Sequence, residues 1–180
     1  MAEQRKAIPA PAPSSQAGVP RIASDAPLRF EHLVQINDPR DPRVSPLTRA
    51  QLWRGLVLRA EYPGTFVPWL DACEIERESD HVLVRTLTFG AQVVRERVRF
   101  EPERSVDYEV LGGESRYRMS MRIEARGEDE LYVRFVYEAE SPDHREGGPL
   151  AGAIKEAYRF ADIDTVFRIR QLAVSGVLDD

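Results

Sequence analysis

Arg85 and Glu96 are the first residues whose types and placement suggest chemistry. They lie in consecutive alternating segments, and a two-residue turn at Gly90-Ala91 sets them opposite each other on the apolar face. A guanidinium and a carboxylate buried there must be compensated. Two readings stand side by side: they anchor the polar end of a ligand, or they pair with each other and fix strand alignment. Asp164 and Arg168 are four apart on a helical stretch and can pair. Arg168 either reaches an interior space or snorkels to its rim. Tyr158 and Thr165 lie beside them and offer hydroxyls. Tyr108, Tyr117, Met119, Met121, Phe135 and Tyr137 share one face of the alternating segments. Methionine adapts to irregular shapes and tyrosine gives an apolar body with a polar tip, which suits a pocket for a mostly apolar molecule. A dry core is the alternative.

Other chemistry is not encoded. His32, His81 and His144 lack metal-ligand spacing. There is no nucleophile elbow, phosphate loop or dinucleotide fingerprint, and no motif implies a cofactor. Cys73 reads as a small buried residue. As the lone cysteine it excludes an internal disulfide and predicts a reducing compartment, the cytoplasm. The net charge of −5 argues against a nucleic-acid partner. Lysine stands only at 6 and 155 against many arginines, which reads as codon bias of a GC-rich, bacterial genome. No apolar run is long enough to span a bilayer, and the N-terminus has no secretory pattern.

The elements that must position these groups follow from periodicity. Residues 1–27 are rich in Pro, Ala, Ser and Gln and predict a disordered tail, leaving residues 28–180 as one domain. Leu28 to Asn37 alternates as a strand. Thr48 and Gln51 form a capping box for a helix that ends at Tyr62-Pro63-Gly64, with a second short helix or turn at 65–69. Six strands follow, at about 71–79, 81–89, 92–101, 105–111, 114–125 and 129–139. Tight turns predict the pairs Arg99–Asp107, Glu109–Arg116, Tyr108–Tyr117, Arg116–Glu138 and Met119–Phe135, with charges on one face and apolar residues on the other. Pro149 to about Gly176 reads as one long helix, capped by Gly148. Leu150, Ile154, Ala157, Ala161, Thr165, Ile169 and Leu172 would face the sheet. A second stripe, Phe160, Ile163, Phe167 and Val174, would pack on the sheet edge or form a dimer surface.

This order, strand, two short helices, six-stranded meander and long helix, resembles the helix-grip fold of the START-like (SRPBCC) superfamily, which includes the birch-pollen allergen type of protein. Specific stretches are similar to the AtaL-like family of bacterial and fungal proteins. They are Phe30 to Asn37, Leu52-Trp53-Arg54-Gly55-Leu56, Pro63 to Pro68, Arg85 with Glu96, Ala157-Tyr158, and Ala161 to Val166. The resemblance implies an α+β fold, a curved sheet of about seven strands around a C-terminal helix, and a cavity between them. It implies no reaction and no catalytic residue. The function expected is binding of a small hydrophobic or aromatic metabolite by a monomer or weak homodimer. The alternatives are a polyketide cyclase- or dehydratase-like enzyme in the same cavity, and an interaction module without a ligand.

Overall fold

The computed structural model describes residues 27–112, 116–127, 130–140 and 150–179. The expected tail, the Gly148-Pro149 helix start, Gly113 and His144 lie outside these residues.

Alternating sequence produces seven strands: β1 (Leu28–Asn37), β2 (Ala72–Ser79), β3 (Val82–Phe89), β4 (Gln92–Glu101), β5 (Ser105–Val110), β6 (Arg116–Arg126) and β7 (Glu130–Glu140). They form one antiparallel sheet in the order β1-β7-β6-β5-β4-β3-β2. Helix α1 (Arg49–Glu61) follows β1, and α2 (Ala151–Val174) closes the chain.

The capping box opens α1. The Thr48 side chain accepts from the Gln51 N–H at 3.0 Å, and Gln51 Oε1 accepts from the Thr48 N–H at 2.9 Å. Pro63 cannot extend the helix, and of the second short helix or turn expected at 65–69 the structure has the turn, a 3-10 turn over Pro63–Thr65 followed by turn residues Phe66, Pro68 and Trp69. Gly176, at φ 77°, ends α2: its N–H donates to the Ala173 carbonyl and that of Val177 to the Leu172 carbonyl.

The register agrees with expectation through β4 and β5, where Arg85 faces Glu96 and Arg99 faces Asp107. It departs by two residues afterwards. Glu109 faces Arg118, Tyr108 faces Met119, Arg116 faces Glu140, and Met121 rather than Met119 faces Phe135. Gly113, half of the tight turn expected there, lies outside the described residues. The Leu111 N–H donates to the Arg95 carbonyl at 2.7 Å, so the chain stays on β4 beyond the end of β5. A slip of two keeps every side chain on its face, because the strand period is two. The inner face therefore still carries Leu83, Val98, Val106, Tyr108, Met119, Met121, Ile123, Val133, Phe135 and Tyr137, all buried. The outer face carries cross-strand ion pairs such as Glu109 with Arg118 and Arg99.

The phase of α2 differs from the apolar reading. Leu150, Ala157 and Ala161 are exposed; Ala151, Tyr158, Asp162, Thr165, Val166 and Ile169 turn inward. The stripe of Phe160, Ile163, Phe167 and Val174 is exposed on the opposite side and does not pack on the sheet edge. Cys73, on edge strand β2, is half-buried rather than buried. α2 packs chiefly on β1 and on α1. At that crossing Gly55 lets α1 approach Ile169: a β-carbon there would stand 2.5 Å from Ile169 Cγ2. One helical turn later, this close approach brings Arg59 against Thr165, with Nε 3.3 Å from Oγ1.

Candidate functional site

The interior between sheet and α2 holds a line of polar side chains. At one end, Arg85 donates to Glu96 at 2.5 Å, and both are buried. The same guanidinium donates through Nη1 to the carbonyls of Ala60, at 2.8 Å, and Arg59, at 3.1 Å. These carbonyls belong to the last turn of α1 and have no partner within the helix. Arg85 is thus spent on Glu96 and on holding α1 to β3.

Tyr108, beside it on β5, lies under two guanidinium groups, with Arg85 at 5.0 Å and Arg59 at 5.5 Å from the ring centroid. Its hydroxyl is buried and has no hydrogen-bond partner of good geometry.

At the other end, Asp162 of α2 is fully buried. Tyr137 donates to its Oδ1 at 2.5 Å, and His32 Nε2 lies 2.6 Å from its Oδ2. The His32 ring is stacked between Phe30 and Phe135. Burial pushes the Asp162 carboxyl above its ordinary range; the bonds from Tyr137 and His32, and the charge of Arg59, pull the other way. Tyr158 stacks flat on Tyr137, with ring centroids 4.1 Å apart, and its hydroxyl meets that of Tyr117. Burial raises all three phenols, so they stay protonated near neutrality. They act as donors and not as bases. The carboxylate here, Asp162, is the group whose raised value makes it able to take a proton.

Of the residues singled out in the sequence, Arg85, Glu96, Tyr108, Met119, Met121, Phe135 and Thr165 are buried on this interior, and Tyr117 and Tyr158 are half-buried at its border. Asp164 and Arg168 do not belong to it. Asp164 is exposed, and Arg168 donates to Gln171 at the surface, at 2.9 Å. The inward phase of α2 explains both: the carboxylate that turns inward is Asp162, two residues earlier. His32, Asp162 and Arg59 were missed, although each had a signal. His32 shares its strand face with Phe30 and Val34. Asp162 continues the stripe Tyr158, Thr165, Ile169. Arg59 follows Leu56 by three residues on the buried side of α1.

The recesses found lie outside this interior. One of about 660 Å³ is lined by the β1–α1 loop, including Asp38, Pro39, Val44 and Leu47, together with Leu131. Another of about 410 Å³ at the β5–β6 end is bordered by Tyr117. Neither has the lining expected for a central cavity, since Met119, Met121 and Phe135 border neither; those side chains pack into the core instead. Among the described residues, no group of three His, Cys, Asp or Glu side chains could hold a metal ion, and no helix is long and apolar enough to cross a membrane.

The family model described as "Acetylaranotin biosynthesis cluster protein L", AtaL, matches residues 34–176. The chain belongs to the AtaL family. Comparison with curated proteins gave no match. Among solved structures, AtaL-type folding is similar to the di-domain ARO/CYC StfQ from the steffimycin biosynthetic pathway. The TM-score is 0.63 at 10% identity, covering 85% of this chain and 53% of that one. The chain thus spans about half the length of that di-domain protein. It is also similar to the Zhui aromatase/cyclase from Streptomyces sp. R1128, with TM-score 0.58, 17% identity, and coverage of 81% of this chain and 94% of that chain. A third is norcoclaurine synthase from Thalictrum flavum in complex with dopamine and hydroxybenzaldehyde, with TM-score 0.57, 12% identity, and coverage of 96% and 98%. At these identities the likeness establishes the fold, the helix grip, for this AtaL-family chain.

Proposed function

We propose that this AtaL-family protein binds a small aromatic or hydrophobic metabolite with a polar end between the sheet and α2. The observation that carries the reading is the polar line itself. Asp162, His32, Tyr137, Arg59, Tyr108, Arg85 and Glu96 gather on one interior, where desolvating each ion costs several kcal/mol and pairing offsets only part of it. A fold held by apolar packing alone has no need of such a line. Arg59 and His32 of this line, and Tyr117 and Tyr158 beside it, are half-buried, and entry is on the side of Tyr117, Tyr158 and Arg59. A planar ligand would stack where Tyr158 now stacks on Tyr137. Met119, Met121 and Phe135, which pack into the core, would part to take its apolar portion. The neighbouring folds named for aromatase/cyclase and norcoclaurine synthase activity act in chemistry of aromatic molecules, which supports the same ligand class.

Native mass spectrometry of protein purified from its own host tests this. A mass increment that is lost on collisional activation, and that Tyr158→Ala reduces, is expected. Protein that is wholly free of small molecules, and stays free when offered aromatic acids, would overturn it.

A second reading is favoured by one observation, the buried Asp162 carboxylate held by Tyr137 and His32. In it the same site performs proton transfer on a polyketide-like carbonyl substrate, as a cyclase or dehydratase. Asp162 with His32 would be the base, and the phenols would donate to the carbonyl oxygen. Under this reading Asp162→Asn abolishes turnover while ligand capture persists; loss of both together would contradict it.

A further inference from the structure

We infer that Arg59 and Tyr108 form the subsite for an anionic oxygen of the ligand, so that the preferred ligand is an aromatic acid, phenolate or enolate. The inference rests on the ligand-binding reading above and names its chemistry.

The polar groups of the interior divide by whether their capacity is spent. Arg85 is spent on Glu96 and on two helix carbonyls, and Glu96 on Arg85. Asp162 is spent on Tyr137 and His32. Tyr117 and Tyr158 meet each other. Two groups have capacity left. The Tyr108 residue is 3% exposed, yet its hydroxyl has no hydrogen bond of good geometry, its polar neighbour being the Arg59 guanidinium. Buried hydroxyls without partners are uncommon because the desolvation is uncompensated. The Arg59 guanidinium carries five N–H donors. Its one hydrogen bond of good geometry runs from Nε to Thr165 Oγ1, at 3.3 Å, and among the described residues no carboxylate forms an ion pair with it.

The two groups with capacity left are neighbours. Arg59 lies 5.5 Å from the Tyr108 ring centroid, and Tyr108, Tyr137 and Asp162 are its electrostatic neighbours. An oxygen bearing negative charge would accept from the guanidinium fork and from the phenol together, as neither Arg85 nor the other phenols are placed to do. A neutral hydrocarbon would leave both groups as they are. The flat stack of Tyr137 and Tyr158 gives the adjoining aromatic surface. The ligand chemistry is therefore a ring with a carboxylate or ionised oxygen directly attached.

Isothermal titration with two probes of one shape tests this: 2-naphthoate and the neutral 2-naphthamide. The wild type is expected to bind 2-naphthoate at least about tenfold more tightly, the effect of a hydrogen bond to a charged group. Arg59→Gln should abolish the preference, costing 2-naphthoate more affinity than 2-naphthamide. Tyr108→Phe, which keeps the ring and its packing, should weaken 2-naphthoate by about tenfold and 2-naphthamide by less, so that the preference is lost, and it decides the matter if the arginine variant does not fold. Equal affinity for the two probes in the wild type overturns the subsite while the ligand-binding reading stands, as does a preference that survives in Tyr108→Phe. Failure of the wild type to bind either probe overturns both.

Discussion

Replacing Gly55 with Ala tests the contact that sets α1 against α2 and, through it, the place of Arg59. The backbone there is helical, so the added methyl carries no conformational strain and should by propensity stabilise α1 by about 1 kcal/mol. Packing opposes this. The new β-carbon would stand 2.5 Å from Ile169 Cγ2 and 2.8 Å from its Cγ1. Ile169 is 0% exposed and branched at its β-carbon, so it has no free rotamer to yield. Overpacking costs about 1–3 kcal/mol, and contacts under 3.0 Å with a buried side chain put this site at the upper end, about 2–3 kcal/mol. The close approach wins, with a net loss of about 1–2 kcal/mol, or roughly 3–6 °C in melting temperature for a domain of this size. Thermal unfolding followed by circular dichroism reads the shift. Ile169→Ala removes the obstructing atoms, so in the double variant the two losses should fall short of their sum by about 1 kcal/mol or more. A melting temperature that is unchanged or raised in Gly55→Ala, or strict additivity with Ile169→Ala, would refute the reasoning.

Two further outcomes follow from the ion pairs. Glu96→Ala should cost about 3–5 kcal/mol in urea unfolding, because it leaves Arg85 charged and buried, whereas Glu109→Ala on the outer face should cost less than about 1 kcal/mol; equal costs would mean that Arg85 is not held as described. Asp162 sets a pH dependence. Its folded value lies above the ordinary 3.8 because burial disfavours the carboxylate. The stability it contributes is full below the unfolded value and is lost as pH rises through the folded one. The stability of the wild type relative to Asp162→Asn should therefore fall as pH is raised from below about 3.8; a relative stability that rises over that interval would show that His32 and Arg59 outweigh burial.

The faces of the sheet were legible because a period of two survives errors in turn length. The β5–β6 and β6–β7 pairings slipped by two residues, and Met119, Met121 and Phe135 still turned inward. Helix phase has no such protection. An apolar stripe read along α2 favours Ala157 and Ala161 over a carboxylate, because the partners that satisfy Asp162 lie far away in sequence, on β1 and β7. Those partners are visible only once the sheet closes β1 against β7. The same limit hid Arg59: its neighbours Tyr108 and Thr165 come from β5 and α2. Arg85 and Glu96 were found because they oppose each other across one short turn. What that local pairing could not reveal is that Arg85 also caps α1.

The central claim is that a ligand lies between the sheet and α2, against the methionine face. The chain has three methionines: Met1 near the terminus, and Met119 and Met121 on the inner face. Methyl-labelled methionine NMR during titration with 2-naphthoate therefore reads the claim with two reporters and one control. The account predicts that the Met119 and Met121 methyl signals shift and saturate together, from the ring current of the bound naphthalene, while Met1 does not move. Saturable binding with both inner methyl signals unmoved would place the ligand elsewhere, in a recess such as the one beside Asp38 and Leu131, and would contradict it.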